Sequence, residues 1–373
     1  MTAPSLPPGH RVLVSELGES PTDAIDHHLT LIPMPAPDPA TLGPKDVLIA
    51  VKSASVGWVD LLMTSGQYQH LAKTPYTPGL EYAGVVAWQG PEVAHVAVGE
   101  PVYVDGFLAG PRSLGAYQAY GGFATYAVAP AEAVRRLPPQ LSFDQACNLL
   151  GNYETAIHCL LTCGKLQAGE TVLINGASGS TGLAAVHVAK LVGATVLATG
   201  RSDDKLAVVQ AQGADHVLNC RTEDGSPGVR RFREDVKALT GGRGVDVVYD
   251  GVGGDISVES LRCLRFGGRF LIVGWAATPD VARGKGQRGA PNVNVLPTNI
   301  IMMKGLTVQG CPTVISTLND PSLRPPRLER LLAWVDSGAL RPHVSHVFPL
   351  TEFQEAMRAK WRGDVIGGCV VRP

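Results

Sequence analysis

Residues 171–193 read TVLINGASGSTGLAAVHVAKLVG. Val172, Leu173 and Ile174 form a short apolar run, which predicts a buried strand. Gly176, Gly179 and Gly182 follow at three-residue spacing, and Leu183, Val186 and Leu191 then recur at helical spacing among alanines. Strand, glycine turn and helix in that order predict a βα unit whose helix start faces an anionic group. In such a unit the first glycine makes the turn, the second lets backbone approach a pyrophosphate, and the third lets helix and strand pack closely. Ser178, Ser180 and Thr181 belong to the same phosphate turn. The spacing is Gly-x-x-Gly-x-x-Gly rather than Gly-x-Gly-x-x-Gly, and a glycine-rich turn without a ligand is the alternative.

A second strand is expected at 195–199. Its end is where an acidic residue would hold the adenine ribose of NAD. The chain instead reads Gly200-Arg201-Ser202-Asp203-Asp204-Lys205. A small residue followed by Arg201, Ser202 and Lys205 suits a 2′-phosphate, which cations pair with and an acid would repel. NADPH is therefore expected over NADH. The alternative is a solvated first helical turn, with Asp203 and Asp204 facing the helix dipole.

The length of 373 residues predicts two domains, and 45% hydrophobic with 17% charged residues permits a large core. A net charge of -1 gives no footprint for nucleic acid or an anionic membrane. No apolar run reaches membrane-span length, and the first ten residues lack a secretion pattern. A soluble cytoplasmic protein acting on a small molecule is the expectation. Seven scattered cysteines do not suggest a disulfide framework.

Along the chain, strands are expected at 11–14, 46–55, 82–88, 102–104 and 121–128, with a short helix at 58–65. This β-rich half is consistent with a small barrel. A helix is expected at 151–164, followed by strands at 214–219, 245–250 and 269–273 that alternate with helices at 228–240 and 255–264. That alternation predicts a doubly wound α/β fold with a parallel sheet. An edge strand at 306–309, helices at 328–337 and 352–362, and a strand at 368–371 returning to the first domain complete the reading. The expected division is 1–145 completed by 312–373, with 146–311 as the nucleotide-binding domain.

Several motifs carry a family resemblance. They are Val59-Asp60, Ser65-Gly66-Gln67-Tyr68, the run from Pro75 through Gly79-Leu80-Glu81 to Val86, the 175–182 turn, Gly213-Ala214-Asp215, 244–253, and Phe266-Gly267-Gly268-Arg269. Together they resemble the medium-chain dehydrogenase/reductase superfamily, in its quinone oxidoreductase (zeta-crystallin-like) branch. The resemblance covers nearly the whole chain. It implies a GroES-like β-rich catalytic domain, a Rossmann NADPH-binding domain and a homodimer joined through the edge of the nucleotide domain. Zinc alcohol dehydrogenases of the superfamily carry Gly-His-Glu where this chain has Leu80-Glu81, and no cysteine stands between 85 and 130. No metal is therefore expected. Cys159 and Cys163, with Leu160 and Leu161 between them, read as helix-face or core residues.

Without a metal the expected chemistry is reduction of a carbon–carbon double bond conjugated to a carbonyl, with hydrogen-bond donors stabilising the enolate charge. Quinones are electronically similar acceptors. Tyr68 aligns with the tyrosine that related enoyl-thioester reductases place near the nicotinamide; a packed aromatic is the alternative. Asp60 matches the family acid, either as a catalytic group or as a local structural residue. Gly57 replaces a family Asn and Leu62 a family Tyr, so an apolar acceptor pocket lined by Trp58 and Leu62 is expected. Thr155 resembles the family threonine beside the nicotinamide. Asn219, Gly251, Val252, Gly274 and Trp275 follow strand ends, where ligands bind in open α/β sheets. Trp275 is also assigned to the substrate side, or to packing. The 279–292 stretch, basic through Arg283, Lys285 and Arg288, is either a solvated loop or a clamp on an anionic substrate such as a coenzyme A thioester. His27, His28, His343 and His346 read as surface residues. The expected function is NADPH-dependent, zinc-independent reduction of a quinone or α,β-unsaturated carbonyl. The alternatives are an enoyl-thioester reductase and an NADPH-binding protein with little turnover.

Overall fold

A computed structural model describes residues 6–113, 115–277, 283–287, 289 and 294–373. The chain forms two compact units. One comprises Met1–Gly151, Ala282–Gly289 and Arg341–Pro373; the other comprises Asn152–Val281 and Ala290–Leu340.

In the first unit, β1 (Gly9–Val14) and β2 (Leu29–Met34) pair antiparallel. A larger sheet joins β3 (Asp46–Ser55), β4 (Tyr82–Gln89), β5 (Pro101–Val104), β6 (Tyr126–Pro130) and β7 (Val134–Arg136). The sequence alternation of 46–55 sorts its side chains between two apolar clusters. Val47, Ile49 and Val51 join Val86, Val102 and Val104, whereas Leu48 faces Tyr126 and Val128. The expected strand at 121–128 starts later, at Tyr126. Gly121 and Gly122 instead turn closely over Pro78 and Gly79; a Cβ on Gly121 would lie 2.2 Å from the Pro78 oxygen.

In the second unit, β8 (Thr171–Asn175), β9 (Thr195–Gly200), β10 (His216–Asn219), β11 (Val245–Asp250), β12 (Leu264–Ile272) and β13 (Thr307–Gly310) form a parallel sheet. Among the described residues their spatial order is β10-β9-β8-β11-β12-β13. This is the 3-2-1-4-5-6 order of dinucleotide-binding sheets, with its reversal between β8 and β11. Leu173, Leu197, Val248 and Phe270 from these strands share one core with Val236, Ile256 and Leu261 from flanking helices.

In the first unit's larger sheet, β14 (Val344–Pro349) pairs with β15 (Gly368–Arg372), which returns to pair with β3 through Val370–Ser55 and Val371–Ala54. The chain re-enters this unit at Arg341, not at 312 as expected. The reason is an ion-paired anchor. Helix Arg324–Asp336 stays with the nucleotide unit because Glu154 holds Arg324 at 2.8 Å and Arg327 at 3.0 Å. Arg327 and Glu154 are nearly fully buried, and such carboxylate–guanidinium pairing is what makes buried charge tolerable. The helix expected at 228–240 begins only at Arg233. Gly228 is left-handed, and the Arg230 amide turns to the Cys220 oxygen. Among the described residues no helix is long and apolar enough to cross a membrane.

Candidate nucleotide and acceptor site

The glycine turn follows β8 directly. Gly176 has φ +66, a left-handed conformation that disfavours any side chain. Its carbonyl accepts the Gly179 amide at 3.0 Å and lies 2.3 Å from where a Cβ on Gly182 would stand. Gly179 is the N-cap of helix Ser180–Leu191 and supplies no side-chain cap. The first-turn amides of an α-helix lack intrahelical partners, and the dipole makes that end electropositive. Gly176, Ser178, Gly179, Ser180, Thr181 and Gly182 thus form a backbone cradle of the kind that fits a pyrophosphate.

The cradle stands at the sheet's reversal. Asn175 lies opposite Asp250 across β8 and β11. Asn175 Nδ2 donates to Asp250 Oδ1 at 3.1 Å and to Ser260 Oγ at 3.0 Å, and its Oδ1 accepts from Thr199 Oγ1. Asp250 Oδ1 in turn accepts the Val252 and Gly253 amides. This buried network fixes the strand ends and the turn after them. Val252 Cγ2 comes within 2.8 Å of the Cβ position of Gly176, and Gly274 faces the Gly251 oxygen. Gly176, Gly251, Val252 and Gly274 are therefore gathered at one place. Trp275 stands beside Gly253 and is 47% exposed, so it is not a core residue. Asn294, which sequence reading missed, accepts the Gly254 amide at 3.0 Å and braces the same turn.

At the end of β9, Arg201 is exposed and Ser202 caps helix Asp203–Ala211 without a side-chain bond. Lys205 is half-buried one turn along. Asn219 Nδ2 donates to Asp203 Oδ1 at 2.8 Å and its Oδ1 accepts the Arg221 amide at 2.9 Å, so both ends of its amide serve local structure. Thr155 is half-buried on helix Leu150–Ile157. Its neighbour Tyr153 bonds His187 Nδ1 at 2.7 Å.

In the first unit, Asp60 makes local structural contacts. Its carboxylate is buried and accepts three backbone amides, from Gly57 at 2.9 Å, Gly79 at 3.0 Å and Leu80 at 2.9 Å. It ties the start of helix Trp58–Thr64 to the turn before β4. Burial pushes it up to about 6 against the pull of those amides. Trp58 has an aromatic partner. It stacks on Trp361 at 5.0 Å and packs against the core, so its ring is already partnered. Leu62 is half-buried on the same helix. Tyr68 is half-buried after the helix, with its ring 5.6 Å from His70. Among the described residues no group bonds its hydroxyl.

Two further charged groups interact in this unit, Glu81 and Arg112. Glu81 Oε1 accepts the Gly151 amide at 2.7 Å, and burial pushes its carboxyl up to about 7 while Arg112 draws it down. Arg112 donates to the Gly106 oxygen at 3.1 Å and lies over the Phe107 ring. Only the retained acid in Leu80-Glu81 hinted at this cluster. In the basic stretch, Lys285 pairs with Glu19 at 2.9 Å while its amide bonds the Gly18 and Ser65 oxygens. The Arg283 amide bonds the Gln287 oxygen. Arg288 and most of 279–292 lie outside the described residues.

Comparison with known proteins agrees with this geometry. Residues 43–139 match the family described as alcohol dehydrogenase GroES-like domain, and residues 180–320 match the family described as zinc-binding dehydrogenase. The chain is 31% identical over 319 residues to the quinone oxidoreductase-like protein 2 homolog of Nematostella vectensis, covering 85% of this chain and 79% of that protein. It is 33% identical over 315 residues to the quinone oxidoreductase of Sus scrofa, covering 84% and 85%. The solved CurK enoyl reductase is similar with TM-score 0.74 and 27% identity, over 98% of this chain and 99% of that one. A switch-point cradle in one unit, a GroES-like match in the other and relatives over most of the length converge. The chain is an oxidoreductase of the quinone oxidoreductase branch of the medium-chain dehydrogenase/reductase superfamily.

Proposed function

We propose that this protein is an NADPH-dependent, zinc-independent reductase of quinones or α,β-unsaturated carbonyl compounds. The observation that carries the reading is the cradle at Gly176, Gly179 and Gly182, at the sheet reversal and with no room for a side chain on Gly182. When bound there, NADPH supplies the hydride. The amides of the first helical turn hold the pyrophosphate. Arg201, Ser202 and Lys205 receive the 2′-phosphate, and the absence of an acid at the end of β9 favours that phosphate over a free ribose hydroxyl. Thr155, Gly251, Val252, Gly274 and Trp275 border the nicotinamide side. Tyr68 is the proposed donor to the developing oxyanion because its hydroxyl is not engaged by another described residue. Leu62 lends the acceptor side an apolar wall. Asp60, Trp58 and Asn219 are left out of the reacting set.

The name of CurK enoyl reductase favours one second reading, an enoyl thioester as acceptor. The test is oxidation of NADPH, with NADH in parallel, against benzoquinone, phenanthrenequinone, an alkenal, a cyclic enone and crotonyl-CoA, with and without chelator. Turnover of a quinone, the alkenal or the enone, undiminished by chelator and faster with NADPH, is expected. Preference for crotonyl-CoA would move the assignment to thioesters. Tight NADPH binding without turnover would overturn the enzymatic reading.

We also propose a homodimer through the edge of the nucleotide unit. Strand β13 ends the sheet, and helix Thr298–Met303 beside it leaves Met302 and Met303 74% and 71% exposed. Light scattering on Met302→Glu should show monomers where the parent shows dimers.

A further inference from the structure

Residues 283–287 belong to the first unit, although the chain before 282 and after 289 belongs to the second. They close a tight turn. The Arg283 amide bonds the Gln287 oxygen, and the Gln287 amide bonds the Gly284 oxygen, each at 3.2 Å. The turn meets the first unit at two places, the Gly18–Glu19 stretch and the end of helix Trp58–Thr64. The Lys285 amide donates to the Gly18 oxygen at 3.1 Å and to the Ser65 oxygen at 2.7 Å, so a single N–H ties both places together. Lys285 Nζ adds an ion pair with Glu19.

The approach is backbone on backbone. A Cβ on Gly284 would stand 2.0 Å from the Glu19 oxygen, and one on Gly66 would stand 2.5 Å from the Gly286 nitrogen. Lys285 is one of two described non-glycine residues with a left-handed backbone, at φ +56. Such a conformation persists where the surroundings over-determine it, and it clusters at functional sites. Beyond Gly66 the turn also meets Leu71, whose Cδ1 lies 3.1 Å from the Cβ position of Gly286. Tyr68 stands between those two contacts. Its Cα lies within about 7 Å of the Gly66 Cα, the reach of two residues of chain. From Ser65 to the start of β4 at Tyr82 no helix or strand holds the backbone, so contacts like these decide where Tyr68 sits.

We propose that the 283–287 turn is a clasp that positions Tyr68 for the acceptor, with the Lys285 backbone amide as the positioning group. The inference rests on the role given to Tyr68 above. The clasp grips the chain two residues before Tyr68 and three residues after it, and it leaves the hydroxyl itself untouched. It supplies no charge to the acceptor, because the Lys285 ammonium is spent on Glu19. What it supplies is a fixed exit from the helix, so that the donor stands in place before the acceptor arrives.

The test is a double-mutant cycle on the full chain, read as kcat for reduction of a cyclic enone by NADPH. Lys285→Pro removes the amide hydrogen and cannot take a positive φ, whereas Lys285→Asn keeps the amide and tolerates the left-handed backbone. Lys285→Pro should lower kcat on the order of 100-fold, the low end of what a placed proton donor contributes, with the Kd for NADPH unchanged. Lys285→Asn should stay within about twofold of the parent, since an exposed ion pair is all it gives up. Tyr68→Phe should cost the parent on the order of 100-fold but the Lys285→Pro chain less than about twofold, because the hydroxyl is already misplaced there. Equal losses from Tyr68→Phe in both backgrounds would make the clasp merely structural and overturn the proposal. Equal impairment by Asn and Pro at 285 would overturn the assignment to the amide. A parent that reduces the enone but is indifferent to Tyr68→Phe would remove Tyr68 and its positioning together, and a parent that reduces no acceptor would overturn the reductase reading itself. If Lys285→Pro does not fold, Gly284→Ala presses the turn off the Glu19 oxygen without touching the helix and runs through the same cycle.

Discussion

The two units carry their chemistry differently. In the nucleotide unit the cradle is made of backbone: Gly176, Gly179 and Gly182 are defined by what cannot be attached to them. In the β-rich unit the expected site was made of side chains, and two of its members were already in use. Asp60 is spent on three amides and Trp58 on Trp361. A site built from local backbone geometry is therefore readable along the chain. A site built from side chains depends on which distant partner claims each one first.

The largest expected effect breaks the backbone side of this contrast. Gly182→Val puts carbon against the Gly176 oxygen and the Ala177 Cα, contacts that cannot yield without moving the turn. Overpacking of this kind costs ~3 kcal/mol, so NADPH affinity should fall on the order of 100-fold in a fluorescence titration. Near-parent affinity would mean the cradle is not the binding site.

Asp60→Ala tests the other side. It orphans three amides, two of them beside buried Leu80, and should lower stability by about 3 kcal/mol in urea unfolding. The part of the protein that stays folded should bind NADPH as the parent does. A fully stable variant with no turnover would restore Asp60 to the catalytic set.

Arg201→Ala sharpens the assignment of the cofactor. Loss of a charge-assisted phosphate contact is worth ~1.5 kcal/mol, so the KM for NADPH should rise about tenfold while that for NADH stays put. An equal rise for both would remove Arg201 from the 2′-phosphate.

The smallest effect concerns Glu81. Its carboxyl is pushed up from the usual 4.5 to about 7 in the folded chain, chiefly by burial. The folded state thus binds this proton more tightly than the unfolded state does, and the stability so gained is present below about 4.5 and lost as pH rises through about 7. Glu81→Gln resembles the protonated acid. It should match the parent at low pH and become the more stable of the two across that window. A stability difference flat with pH would place the Glu81 proton elsewhere.

Much of the fold was legible for the same reason as the cradle. The alternation of 46–55 set β3 to the residue, and the edge strand expected at 306–309 stands at the end of the sheet as β13. Errors arose where long-range contacts decided. The chain stays in the nucleotide unit to Leu340 because Arg324 and Arg327 reach back to Glu154. Asn219 stands at a strand end, and its hold on Asp203 could not be read from the chain. Asn294 could not be read as a brace for Gly254, forty positions earlier.

The central claim is conjugate reduction by hydride. Its most direct test is to reduce a cyclic enone with NADPH deuterated at nicotinamide C4 and to locate the deuterium by NMR. The account predicts deuterium on the β-carbon of a saturated ketone. Deuterium on the carbonyl carbon of an allylic alcohol would contradict it and point to carbonyl reduction instead.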